Sequence, residues 1–108
     1  MSYDEELDAR VAEIVVPWGA TRQKMFGGTG YLVNGNMMAG VHKDRLVLRL
    51  GDEAGAKALQ QPSVRPFDIT GRPMKGWVMV EPPAVAGAEL ADWLALARGY
   101  AESLPPKG

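Results

Sequence analysis

Few residues in this 108-residue chain are of types that could do chemistry. The single histidine, His42, stands beside a predicted tight turn, with no second histidine, cysteine or paired carboxylate near it in sequence. A metal site needs several converging donors and a nucleophile needs an adjacent base, so His42 supports neither. Ser2, Ser63 and Ser103 fall at a helix start, in a loop and at a helix end, away from the strand-to-helix turn that raises a serine nucleophile. With no cysteine in the chain, disulfides, thiolate metal sites and cysteine nucleophiles are excluded. The expectation is a protein that is not an enzyme, with no catalytic residue, no metal ligands and no cofactor.

Two clusters have binding potential. Arg65, Arg72 and Lys75, followed by Trp77, could hold an anion or a nucleic-acid backbone, although Trp77 opens an apolar strand and reads as a core anchor rather than a stacking platform. Gly27, Gly28 and Gly30 could cradle phosphate. Their spacing lacks the Lys-Ser/Thr ending of a P-loop and the third glycine of a dinucleotide fingerprint, and a hairpin follows where a helix would be needed. The glycines instead suggest a bulge, a bend or a close approach; the alternative is a small-ligand-binding protein or an enzyme with a pocket between sheet and helix near Gly27 to Gly30.

The elements that would position these residues centre on Lys24 to Leu50. Asn34-Gly35 supplies the two positive φ angles of a type I′ turn between Tyr31-Leu32-Val33 and Met37-Met38-Ala39. Continuing the pairing outward sets Val33 opposite Asn36, Leu32 opposite Met37, Tyr31 opposite Met38 and Gly30 opposite Ala39. A second tight turn at Lys43-Asp44 sets His42 opposite Arg45, Val41 opposite Leu46, Ala39 opposite Leu48, Met38 opposite Arg49 and Met37 opposite Leu50. One face then collects Gly30, Leu32, Met37, Ala39, Val41, Leu46, Leu48 and Leu50 as the core-facing set. The other collects Tyr31, Val33, Met38, Gly40, His42, Arg45, Val47 and Arg49.

Around this hairpin pair, Ser2 and Glu5 form a capping box and Leu7, Val11, Ile14, Val15 and Trp18 follow at helical spacing, predicting a helix over 3–16. Gly51-Asp52 opens an alanine-rich helix over 52–60 that lies close to the sheet. Val64 to Thr70 and Trp77 to Val80 read as strands of a second hairpin around the turn-rich Gly71 to Gly76. Leu90, Trp93, Leu94, Ala97, Ala101 and Leu104 mark a helix over 88–104, ended by Pro105-Pro106. The whole chain, 1–108, reads as one two-layer α+β domain with an antiparallel sheet, order α-β-β-β-α-β-β-α, with Leu32, Leu46, Leu48, Trp93 and Leu94 in one core.

Within that frame Lys24 to Gly28, KMFGG, resembles the opening strand of the N-terminal domain of the TfoX/Sxy competence and transcription regulators. The glycine-turn hairpin, the leucine-rich strand ending in Arg49, Phe67 and the strand from Trp77 extend the resemblance over residues 7–104. Met38 stands where that pattern has an aromatic, and Trp77-Val78-Met79-Val80 replaces a tyrosine-rich strand. The resemblance implies a bacterial regulatory domain with a fold like that of the type III secretion chaperones, and it transfers no catalytic residues.

Tyr31, Met38 and Arg49, side by side across three expected strands and next to Val33 and Val47, combine residue types enriched at interface cores. They are the expected interaction face, for a protein partner or for a second copy in a homodimer. Without a signal segment or a long apolar run, the expected home is the cytoplasm, away from membranes.

Net charge is −1, but residues 1–20 carry one basic and five acidic groups, residues 21–75 nine and four, and residues 76–108 two and four. Acidic helices flanking a mixed-charge sheet produce that pattern, so nucleic acid is not an expected partner. Duplex DNA should bind weakly, with little change in affinity between low and physiological salt. Tight binding with a steep salt slope in a fluorescence anisotropy titration would contradict this, because several phosphates would then be neutralised.

Overall fold

The computed structural model describes residues 4–25, 28–68, 71 and 75–105. Helix α1 spans Glu5–Val15 and runs into a 3-10 turn at Val16–Trp18. Its cap is Asp4, whose carboxylate accepts from the Leu7 N–H at 3.0 Å; the expected Ser2 cap lies outside the described residues. Six strands follow: β1 Thr21–Met25, β2 Gly28–Val33, β3 Asn36–His42, β4 Arg45–Arg49, β5 Val64–Pro66 and β6 Trp77–Val80. Helix α2, Asp52–Ala58, separates β4 from β5, and helix α3, Glu89–Glu102, follows β6. The strands form one antiparallel sheet in the order β1-β2-β3-β4-β6-β5. The α+β class and the element order are as expected from sequence, with one strand more. Thr21–Met25 reads TRQKM, without an apolar alternation to announce a strand, yet all of it pairs with β2, from Gly28 to Leu32.

Both predicted turns form. Asn34 and Gly35 have φ of 54° and 80°, and Lys43 has φ of 56°. The β3–β4 register is as expected from His42–Arg45 to Ala39–Leu48. The β2–β3 register is not. Val33–Asn36 and Leu32–Met37 pair as expected, but Tyr31 then pairs with Ala39, Gly30 with Gly40 and Thr29 with Val41. Met38 is the extra residue of a β-bulge.

That single insertion corrects the facing of the first hairpin. Met38 and Ala39 both lie in the helix-side core, and Tyr31 and Val33 join them there. Leu32 and Met37, expected in the core, are only half-buried, with Met37 on the opposite face. The physical gain is larger area: Tyr31 and Val33 bury in place of Gly30 and Leu32, and an aromatic brings the largest apolar payload. Leu46, Leu48 and Leu50 face the core as expected, against Leu7, Val11 and Val15 of α1 and Leu90, Trp93, Leu94, Ala97 and Ala101 of α3. Each leucine or valine among them contributes roughly 1.5–3 kcal/mol of transfer free energy.

The face away from the helices holds a second, smaller cluster. Val47, Phe67 and Met79 are buried there, with Met37 and Trp77 packed beside them. Phe67 and Trp77 stack with ring centroids 5.7 Å apart.

Helix α2 approaches the sheet closely, as expected, though through glycine: a Cβ on Gly55 would stand 3.1 Å from the Gly76 Cα. The Gly76 carbonyl also accepts from the N–H groups of Leu50 and Gly51, at 2.8 and 3.1 Å, closing the entry to α2 against the start of β6.

Gly28 is required sterically, since a Cβ there would stand 1.9 Å from the Val41 carbonyl oxygen. Gly28→Ala should therefore destabilise the fold by about 3 kcal/mol, the upper end of ordinary overpacking, because backbone rather than a flexible side chain must give way. Urea unfolding checks this; a shift below about 1 kcal/mol would mean that the strands can separate without loss.

Candidate functional site

Titratable and polar side chains from three elements converge at one place, beneath α1. Asp8, in the first turn of α1, is only 5% exposed. Its Oδ2 accepts from Arg22 Nη2 of β1 at 2.7 Å. Its Oδ1 accepts from Thr29 Oγ1 at 2.8 Å and from the Tyr31 hydroxyl at 2.5 Å, both on β2. The antiparallel register brings these donors together: Arg22 pairs with Tyr31 across β1–β2, and Thr29 lies two residues from Tyr31 on the same face.

Burial pushes the Asp8 carboxyl up, but hydrogen bonds from Arg22, Tyr31 and Thr29 and the Arg22 charge outweigh it and hold the group below its ordinary 3.8. Burial pushes the Tyr31 phenol up to about 12, helped by its hydrogen bond to Asp8 and by the Asp8 charge. The Asp8 hydrogen bond holds the Arg22 guanidinium still more firmly protonated. A carboxylate accepting from three donors has little basicity left, and a phenol at about 12 is no nucleophile at neutral pH. The cluster is chemically suited to fastening α1 onto the β1–β2 edge.

Sequence reasoning missed this cluster, because Asp8 sits among Glu5, Glu6 and Glu13 and reads as one more solvated helix charge. The one available signal was Asp8 standing one residue from Leu7 and three from Val11, at the edge of the apolar stripe.

The second site is a groove. Between α2 and α3 lies an open cavity of about 640 Å³, lined on the α2 side by Leu50, Gly51, Asp52, Glu53, Ala54, Lys57, Ala58 and Gln61 and on the α3 side by Trp93, Leu96 and Tyr100. A shallower hollow of about 390 Å³ continues it past Gln61, Trp93 and Leu96 toward Ala84, Glu89 and Asp92. Leu96 is 55% exposed in the middle of this path. Trp93 is fixed beside it by a hydrogen bond from Nε1 to the Ala84 carbonyl at 3.2 Å.

The expected interaction face does not form. Tyr31 and Met38 are fully buried under the helices and Val47 is 2% exposed beneath Phe67 and Met79, because the bulge turned the first two inward and the second cluster covers the third. Arg49 is half-buried, with its guanidinium 5.4 Å from the Trp77 ring centroid and 5.7 Å from that of Tyr100. The residues of the expected anion site are dispersed. Arg65 reaches Glu81 at 3.5 Å and Lys75 reaches Asp52 at 3.6 Å, both exposed, while Arg72 lies outside the described residues. Of the glycine cluster, Gly27 also lies outside them, and at Gly28 the space of the missing side chain is taken by the Val41 backbone rather than left for a ligand. Among the described residues no group of three or more His, Asp or Glu side chains gathers as metal ligands, and no helix is long and apolar enough to cross a membrane.

Asp8→Asn should cost about 2 kcal/mol at neutral pH, the scale of hydrogen bonds to a buried charge. Because the folded carboxyl titrates below 3.8, this margin is full above about pH 3.8 and shrinks as pH falls below it. Tyr31 has the opposite sign: its raised pKa gives stability that is full below pH 10.0 and lost as pH rises through about 12. Urea unfolding of wild type, Asp8→Asn and Tyr31→Phe across pH, with phenolate absorbance, checks both. A wild-type margin over Asp8→Asn that grows on acidification would show that the sign is wrong.

The chain matches none of the curated proteins and none of the solved structures with which it was compared. The family model of the TfoX N-terminal domain does match it, over residues 14–101, from within α1 to near the end of α3. That stretch takes in all six strands and α2, most of the chain, and the KMFGG run lies inside it. The chain therefore belongs to the TfoX N-terminal domain family.

Proposed function

We propose that this domain is a non-catalytic regulatory module that acts by binding another protein, and that the partner docks in the α2–α3 groove. The observation that carries the reading is Leu96, an exposed leucine on the best-packed helix, standing beside the pinned Trp93 over a groove with an apolar floor. Monomeric surfaces hold isolated apolar residues readily, but a leucine and a tryptophan lining a continuous groove form an anchor site of the kind that carries interface energy. The non-catalytic part is supported by the fate of the buried Asp8, Thr29 and Tyr31 side chains, which are engaged with one another and with the exposed Arg22. The cysteine-free sequence suits the reducing cytoplasm, where such a regulator would work.

A second reading is supported by the cavity itself, because about 640 Å³ falls in the range of small-molecule sites. In that case the domain carries a small apolar ligand between α2 and α3, rather than near Gly28 as the glycine cluster suggested.

A photo-crosslinking residue at position 96 separates the two. The expected result is a covalent adduct with one protein in cells, abolished when Leu96→Asp is combined with a crosslinker at position 93. Leu96→Asp itself should change stability by no more than about 1 kcal/mol, the helix-propensity difference at an exposed site. A small molecule retained in native mass spectra, with no protein adduct, would support ligand carriage. Adducts from position 45 on the opposite face but none from position 96 would refute docking in the groove.

A further inference from the structure

We infer that the occupant of the α2–α3 groove is an amphipathic helix whose apolar stripe is flanked by lysine or arginine; this rests on the docking reading above. The floor has the spacing that a helix reads. Trp93, Leu96 and Tyr100 stand at i, i+3 and i+7 along α3, facing Leu50, Ala54 and Ala58 from the α2 side. From Glu89 to Tyr100 the groove follows about 17 Å of α3 axis, enough for three turns of a docked helix. An apolar groove between two helices that presents anchors at these intervals matches the helix-in-groove mode of recognition.

The rim decides the charge of the partner. Asp52 and Glu53 stand at one end and Glu89 and Asp92 at the other, against Lys57 on the lining and the half-buried Arg49, whose guanidinium is stacked on the Trp77 and Tyr100 rings. Lys75 reaches Asp52 at 3.6 Å, but both side chains are largely exposed and screened by water. A helix with acidic flanks would meet like charge at both ends of the groove; one with basic flanks would meet opposite charge.

A second copy of this chain does not fit. Each of its helices carries more acid than base: Glu5, Glu6, Asp8 and Glu13 against Arg10 in α1, Asp52 and Glu53 against Lys57 in α2, and Glu89, Asp92 and Glu102 against Arg98 in α3. Arg10 and Arg98 are engaged as well, Arg10 donating to the Val85 and Gly87 carbonyls and Arg98 stacked on Trp18 and paired with Glu102. The basic groups Arg45, Arg49 and Arg65 lie on strands.

The test is selection of displayed helical peptides on the immobilised full chain. The peptides carry leucines at i, i+3, i+7 and i+10, with flanking positions randomised among Lys, Glu and Gln. The expected result is a roughly tenfold excess of Lys over Glu at the flanks of the enriched pool, an excess that falls with salt. Binding should be lost on the Leu96→Asp variant, and the flank preference should reverse on the Glu53→Lys/Asp92→Lys variant, whose substitutions are all at exposed positions. Enrichment of Glu-flanked or charge-neutral peptides that is still lost on Leu96→Asp overturns the basic-partner inference and leaves docking in the groove standing. Enrichment that survives Leu96→Asp, or no enrichment of any helix, overturns both.

Discussion

One extra residue in β3 decides which side chains of the first hairpin meet the helices. Up to Leu32–Met37 the β2–β3 ladder follows its turn, and beyond the bulge at Met38 every β2 residue is displaced by one against its partner. Since side chains alternate with a period of two, that displacement reassigns whole rows to opposite faces. Tyr31 goes under α1, and Met38 and Ala39 fill the core together. The close glycine approach at this point, where a Cβ on Gly40 would come within 2.4 Å of the Thr29 carbonyl oxygen, belongs to the same local geometry. Without the bulge, Tyr31 and Thr29 would both point away from α1, and Asp8 would be a buried carboxylate without its β2 donors.

The Asp8 cluster is thus a downstream consequence of strand register. A buried carboxylate is tolerable only when its desolvation is offset by donors, and here arginine, threonine and tyrosine supply three. The arrangement sets both the depth and the rotation of α1, because the hydrophobic stripe of Leu7, Val11 and Val15 could slide along an apolar surface whereas Asp8 cannot leave its donors. Arg10, donating to the Val85 and Gly87 carbonyls, ties the same helix to the approach to α3. The two outer helices are therefore held by polar contacts of definite geometry in addition to apolar burial.

Among the described residues the large apolar side chains that face outward are Leu96 on α3, Leu59 just after α2 and Val16 just after α1. The opposite face of the sheet, which would otherwise be the open side of a two-layer fold, is closed by Phe67, Met79 and Trp77 over Val47. The buried Asp8, Thr29 and Tyr31 serve architecture, and the exposed Leu96 is the side chain on which the proposed docking rests.

The amino-acid sequence by itself determined the parts of this protein governed by local rules. Asn34-Gly35 dictated the first hairpin because few residues adopt positive φ cheaply, the alternation on either side of Lys43-Asp44 placed the second, and the stripes of α1 and α3 dictated helices and their buried sides. The β4 core residues Leu46 and Leu48 followed from alternation, and KMFGG carried the family. The tertiary structure decided what depends on partners distant in sequence. A bulge in β3 has no local signature in Met37-Met38-Ala39, and TRQKM becomes a strand only because β2 offers it an edge. Asp8 is distinguishable from Glu5 or Glu13 only once β1 and β2 present their donors. The α2–α3 groove joins residues up to fifty positions apart, Leu50 to Tyr100, so its apolar floor and acidic rim exist only after packing has placed one helix beside the other.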